Sequence, residues 1–154
     1  MPGVGKKSGC YRYHRTVNDY FAATISPKGS IEKVQTLGGG DDDRAMTSAT
    51  DTRGGTWIIG YTKSFGAKGW DILIARVGSD ATFEPAVIAL GTPYADNGTT
   101  IAEASNGNLL IGGYTDATSY GKSPPDLLVM RLDPRKARSL KEGVAIKTVQ
   151  WRTP

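Results

Sequence analysis

Residues 37–62 of this chain align without gaps on residues 90–115, and that repeat constrains the fold more than any other feature. Ten of the 26 pairs are identical, among them Leu37/Leu90, Gly38/Gly91, Asp43/Asp96, Gly54/Gly107, Gly60/Gly113, Tyr61/Tyr114 and Thr62/Thr115. Chance would supply about one or two. After an insertion of two residues the match resumes, with Asp71–Val77 (DILIARV) on Asp126–Leu132 (DLLVMRL). A partial copy precedes both: Asp19–Ile25 (DYFAATI) matches the same segment and runs on to Leu37-Gly38. The organisation is an unmatched basic leader, 1–18, then repeats over 19–150 and a short tail, 151–154. The repeats divide into a partial unit (19–37) and two full units (38–90 and 91–150). A fixed internal period of this kind marks arrays in which one supersecondary unit stacks on the next.

Each full unit predicts about four strands, near 45–50, 56–62, 71–77 and 83–90 in the first and near 98–104, 108–115, 126–132 and 143–150 in the second. Trp57-Ile58-Ile59 and Ile72-Leu73-Ile74 are unbroken apolar runs, which require cover on both faces of a strand. Turn chemistry separates the strands at Arg53-Gly54-Gly55, Asn106-Gly107-Asn108 and Pro27-Lys28-Gly29. No segment sustains a helical period. The expectation is an all-β fold of β-propeller-like tandem four-stranded blades. About two and a half units fall short of the four to eight that close a ring, so the ring is incomplete or the stack open. Three arrangements follow: a piece of a larger propeller, an oligomer that closes the ring, or an open stack capped by its basic ends.

The stretch Gly54–Val77 (GGTWIIGYTKSFGAKGWDILIARV) resembles bacterial and archaeal β-propeller repeats of the pattern GG, two apolar residues, G-T-x-S-x-G, then Asp and an apolar strand. Leu37–Ala45 resembles the junction between such units, and the likeness covers roughly 19–133. It departs at Gly78-Ser79 and at Pro124-Pro125, both between strands. The resemblance implies a propeller-like scaffold, common in large secreted or cell-envelope proteins, and no single activity. The N-terminus shows no apolar run typical of a signal peptide, so the compartment stays open.

Charge narrows the partners. The net charge is +4, but residues 1–18 carry +4, residues 131–154 carry +5, and the body between them carries −5. The repeated body is therefore acidic, and nucleic acid is disfavoured as a partner. No apolar stretch is long enough to span a bilayer as a helix. Cys10 is the only cysteine and His14 the only histidine, which excludes an internal disulfide, a cysteine zinc cluster and a multi-histidine site within one chain.

Candidate site residues are few. Asp41-Asp42-Asp43 could hold a hard cation such as calcium, but only Asp43 recurs in the second unit, where Tyr94-Ala95 replace the other two. Asp19, Asp71 and Asp126 recur at one strand start and read as scaffold, as do the Tyr-Thr pairs. Trp70 stands in a loop beside Gly69 and could stack on a carbohydrate ring. Glu32, Glu84, Glu103 and Glu142 are isolated, and no phosphate-binding loop is present. Asn97-Gly98-Thr99 fits a glycosylation sequon, although Asn-Gly is expected to make a hairpin turn. No catalytic residue and no cofactor is indicated. The expected function is a non-enzymatic scaffold that binds protein or glycan through blade loops, with homo-oligomer formation through exposed blade faces. The alternative is a piece of a larger propeller enzyme (lyase, hydrolase or quinoprotein-like) whose catalytic residues lie outside this chain.

Overall fold

The computed structural model describes residues 17–66, 69–116 and 125–137, together with the backbone of 145–149. Among the described residues every regular element is a β-strand: β1 (Tyr20–Ile25), β2 (Ile31–Gly38), β3 (Asp43–Thr50), β4 (Thr56–Thr62), β5 (Asp71–Val77), β6 (Ile88–Leu90), β7 (Asp96–Glu103), β8 (Leu109–Thr115), β9 (Asp126–Leu132) and β10 (Ala145–Val149). They form three antiparallel sheets with the strand orders β1-β2-β10, β3-β4-β5-β6 and β7-β8-β9. No ring closes. The fold is all-β, consistent with incomplete propeller-like blades.

The three sheets stack in chain order. One apolar cluster joins Tyr20, Ala22 and Leu37 of the first sheet to Leu73, Ala75 and Val77 of the middle one. A second joins Trp57, Ile59, Ile72 and Ile74 of the middle sheet to Ile101, Leu109 and Ile111 of the third. All seven residues of β5 are buried, as an apolar run without alternation requires. Polar ties fix the first interface: Tyr20 Oη donates to the Leu73 carbonyl at 2.8 Å, and the Phe83 N–H donates to Gln35 Oε1 at 2.9 Å. Lys33 Nζ also pairs with Asp80 at 3.1 Å across it.

Recurring residues have recurring geometry. β3 carries a bulge between Ala45 and Thr47, and β7 carries one at the equivalent place, between Gly98 and Thr100. The bulge pushes a carbonyl against the facing strand. A Cβ on Gly60 would lie 1.9 Å from the Arg44 oxygen, and one on Gly113 would lie 2.0 Å from the Asn97 oxygen. Glycine recurs there because nothing larger fits. Gly54 and Gly107 both sit at φ +79° in matching hairpin turns, a backbone region costly for residues with a Cβ.

Two expectations are corrected. The strand near 143–150 does not join β9: β10 pairs with the far edge of β2, with Ala145 opposite Gly38 and Val149 opposite Val34. In the first and middle sheets the closing Leu-Gly tucks under the recurring aspartate. A Cβ on Gly38 would lie 2.2 Å from Asp19 Oδ1, and one on Gly91 would lie 1.6 Å from Asp71 Oδ1. The chain after β9 holds no Leu-Gly with which to repeat that contact. Nor does Asn97-Gly98 make a hairpin turn. It lies inside β7 with Asn97 buried, and a Cβ on Gly98 would meet Ile59 at 2.6 Å. That glycine lets the middle and third sheets approach.

Candidate functional site

The acidic loop connects β2 to β3, and its three carboxylates diverge. Asp43 is fully buried; its Oδ2 accepts from the Gly39 N–H and from Ser64 Oγ, each at 2.9 Å, and its Oδ1 accepts from Thr62 Oγ1. Asp96 repeats the device, with Oδ2 accepting from the N–H and hydroxyl of Thr92. Both carboxylates thus tie down the turn before a first strand. Asp42 Oδ1 instead accepts from the backbone N–H and side-chain amide of Asn18, at 3.0 and 2.9 Å. That backbone bond, helped by the side-chain amide and by Arg44 and Lys63 nearby, holds the Asp42 carboxyl below its usual range. Asp41 Oδ1 turns back to the Asp42 N–H at 3.0 Å. Among the described residues no three carboxylate, histidine or cysteine side chains gather around a cation-sized space.

Asp19 joins this region. Both its carboxylate and that of Asp43 approach Gly38, at 2.2 and 2.9 Å from where a Cβ would stand. Each belongs to a recurring position of the repeat, the pattern of a scaffold group. Tyr20 lies beside them; burial, and then the charge of Asp43, push its phenol far above the ordinary tyrosine range. It serves as a neutral donor that ties two sheets.

Trp70 sits just before β5 at the same end of the stack. The Tyr61 ring meets it edge-on at 4.7 Å, Lys63 Nζ lies 4.2 Å from its ring centroid, and the Arg44 guanidinium lies 5.9 Å away. The Trp70 carbonyl accepts from the Asp96 N–H at 2.6 Å. Its ring is therefore engaged with cations and its backbone with the third sheet.

Two of the glutamates that look isolated in the sequence are brought to partners. Glu103 accepts from Thr52 Oγ1 and Trp57 Nε1, each at 2.7 Å, and so links the middle and third sheets. Thr52's hydrogen bond, and then Trp57's, hold its carboxyl below the usual range against the opposing effect of burial. Glu84 pairs with Arg76, which also donates to the buried Asp51 carboxylate. Only a tryptophan N–H in a buried strand hinted at the first of these links, since such a donor needs an acceptor. His14, Cys10, Glu142 and Trp151 lie outside the described residues.

What the polar groups leave is an apolar face. On β9, Leu127 and Val129 are 83% and 76% exposed, although Ile72 and Ile74, their equivalents on β5, are 1% and 0% exposed. Leu110 and Tyr114 extend the same face across β8 and are also exposed. On the opposite, inner side of β9, a groove of about 310 Å³ is lined by Ile72, Leu90, Leu128, Met130 and Leu132. Between the first and middle sheets, a more open groove of about 550 Å³ runs beside Phe21, Arg44 and Ala45. Comparison of the chain with family models, with curated proteins and with solved structures returned no match.

Proposed function

We propose that the chain is a non-enzymatic β-propeller-type scaffold, built from repeats of the family its sequence resembles, that binds a protein partner through the open face of its third sheet. The observation that carries this reading is the contrast between Leu127 and Val129 and their buried equivalents Ile72 and Ile74. Covering two such side chains is worth about 1.5–3 kcal/mol each. A contiguous exposed apolar patch of this kind marks a place of association. The described polar side chains favour a scaffold over an enzyme: the conspicuous aspartates repeat from unit to unit, and Glu84 and Glu103 are committed to internal ties. A glycan at Trp70 is less well supported, because Lys63 lies over the indole ring that a sugar would stack on.

The test is binding of an anilinonaphthalene sulfonate dye to dilute folded protein. The wild type should bind it, and the double variant Leu127→Lys/Val129→Glu should lose most of that binding with an unchanged melting temperature. A wild type that does not bind the dye, or a double variant that binds it equally, rejects this face as the binding surface.

A further inference from the structure

The occupant of the open face can be named from the interfaces the molecule already makes. In each sheet, call the side towards the next sheet in the chain its forward face and the other its rear face. Tyr20 and Ala22 form the forward face of β1 and pack on Leu73 and Ala75, on the rear face of β5. Ile72 and Ile74 form the forward face of β5 and pack in one cluster with the rear-face residues Leu128 and Met130 of β9. Forward onto rear is thus made twice, with residues from the same positions of the repeat. Leu127 and Val129 are the third forward face. They stand where Tyr20 and Ala22, and Ile72 and Ile74, stand in their units.

The matching surface is also present in this chain. Phe21 and Ile25 occupy the rear-face positions of β1 that Leu73 and Val77 occupy on β5, and they are 57% and 63% exposed. Phe21 and Ile25 therefore stand at positions of the rear half, and Leu127 and Val129 at positions of the forward half, of the interface that is buried twice inside the molecule. They lie at opposite ends of the stack, so one molecule cannot pair them with each other. Arg131 is the single charge on the β8–β9 forward face, and no acid stands there to repel a copy.

Resting on the reading of this face as a binding surface, we infer that its partner is a second copy of the same chain. The forward face of β9 in one copy docks on the rear face of β1 in the next. The contact is head-to-tail, so it propagates to a closed ring or an open filament rather than stopping at a two-fold dimer.

Light scattering across the micromolar range is the first measurement. The wild type should rise above the 16.4 kDa chain mass with concentration, and Leu127→Lys/Val129→Glu should stay at that mass. The second is oxidative cross-linking in a Cys10→Ser background. Val129→Cys mixed with Phe21→Cys should cross-link, and Val129→Cys alone should not. Cross-linking of Val129→Cys to itself would overturn the head-to-tail geometry. A wild type that stays monomeric but binds the dye in a Leu127/Val129-dependent way would overturn self-pairing and leave the binding face standing. A monomer that does not bind the dye would overturn both.

Discussion

The middle and third sheets are built from the same repeat and differ in what covers them. β5 and β9 both begin with the recurring aspartate and continue as apolar runs that end in an arginine and an aliphatic residue. In β5 every residue is buried, whereas in β9 exposed and half-buried positions alternate. The strands themselves do not cause that difference, since each pairs antiparallel with its neighbour in equivalent register. The cause is position in the stack: among the described residues the middle sheet has a neighbour on each side, and the third has one. The third sheet's forward face is also lighter, with Leu110 and Gly112 where the middle sheet has Trp57 and Ile59. An apolar run therefore reports that a strand can be covered twice, and the stack decides whether it is.

The largest expected contrast is at the paired arginines. Arg76 is buried against Asp51 and Glu84, whereas Arg131 is exposed. Arg76→Met leaves a buried carboxylate without its guanidinium and should cost about 3–5 kcal/mol in denaturant unfolding. Arg131→Met should change stability by less than about 0.5 kcal/mol. Equal losses would mean that β9 is covered as β5 is.

Next come the apolar equivalents. Ile74→Ala should cost about 2–5 kcal/mol through the cavity it opens between the middle and third sheets. Val129→Ala, measured by the same unfolding curves on dilute protein, should be nearly neutral. A smaller effect is expected where the two sheets are alike. Gly54→Ala and Gly107→Ala each force a Cβ onto a φ of +79° and should each cost about 1–2 kcal/mol. Unequal values there would show that the hairpin turns, too, feel their place in the stack.

The smallest effect concerns acid. Glu103 has a folded pKa below that of the unfolded chain, so its contribution is present above the ordinary glutamate value of about 4.3 and is lost as pH falls through its depressed value. Asp80, held at about 2 first by the Thr82 hydroxyl and then by Lys33, adds a contribution that starts to fade below the ordinary aspartate value of about 3.9 and is lost as pH falls through about 2. Melting temperature should fall between about pH 5 and pH 3. Glu103→Gln, which retains an acceptor for Trp57, should flatten part of that fall. A slope unchanged in the variant would place the acid sensitivity elsewhere.

Much of this was legible in the residues. The repeat marked where the strands lie along the chain, and Gly54 and Gly107 marked matching turns. The runs around Ile58 and Ile72 marked strands covered on both sides. Asp43 carried its own signal, since it recurs as Asp96 while Asp41 and Asp42 do not. Glu103 was not legible: its partners Thr52 and Trp57 stand 51 and 46 residues away in another sheet, and no local pattern encodes such a meeting. The destination of β10 was equally hidden, because a strand's sequence states its capacity to pair and leaves the choice of edge to whatever edge is open.

By itself, then, the sequence determined what depends on near neighbours along the chain: strand period, turn conformation, the glycines that sit under bulges, and the aspartates that tie down their own loops. These follow from steric and hydrogen-bond rules that act over a few residues. Only the tertiary structure decided which faces are buried, where the last strand pairs and which carboxylates bridge sheets, because each of these depends on a surface brought up from a distant part of the chain. The open face of the third sheet belongs to the second class. Leu127 and Val129 read like core residues, and the absence of a fourth sheet over them among the described residues makes them a surface.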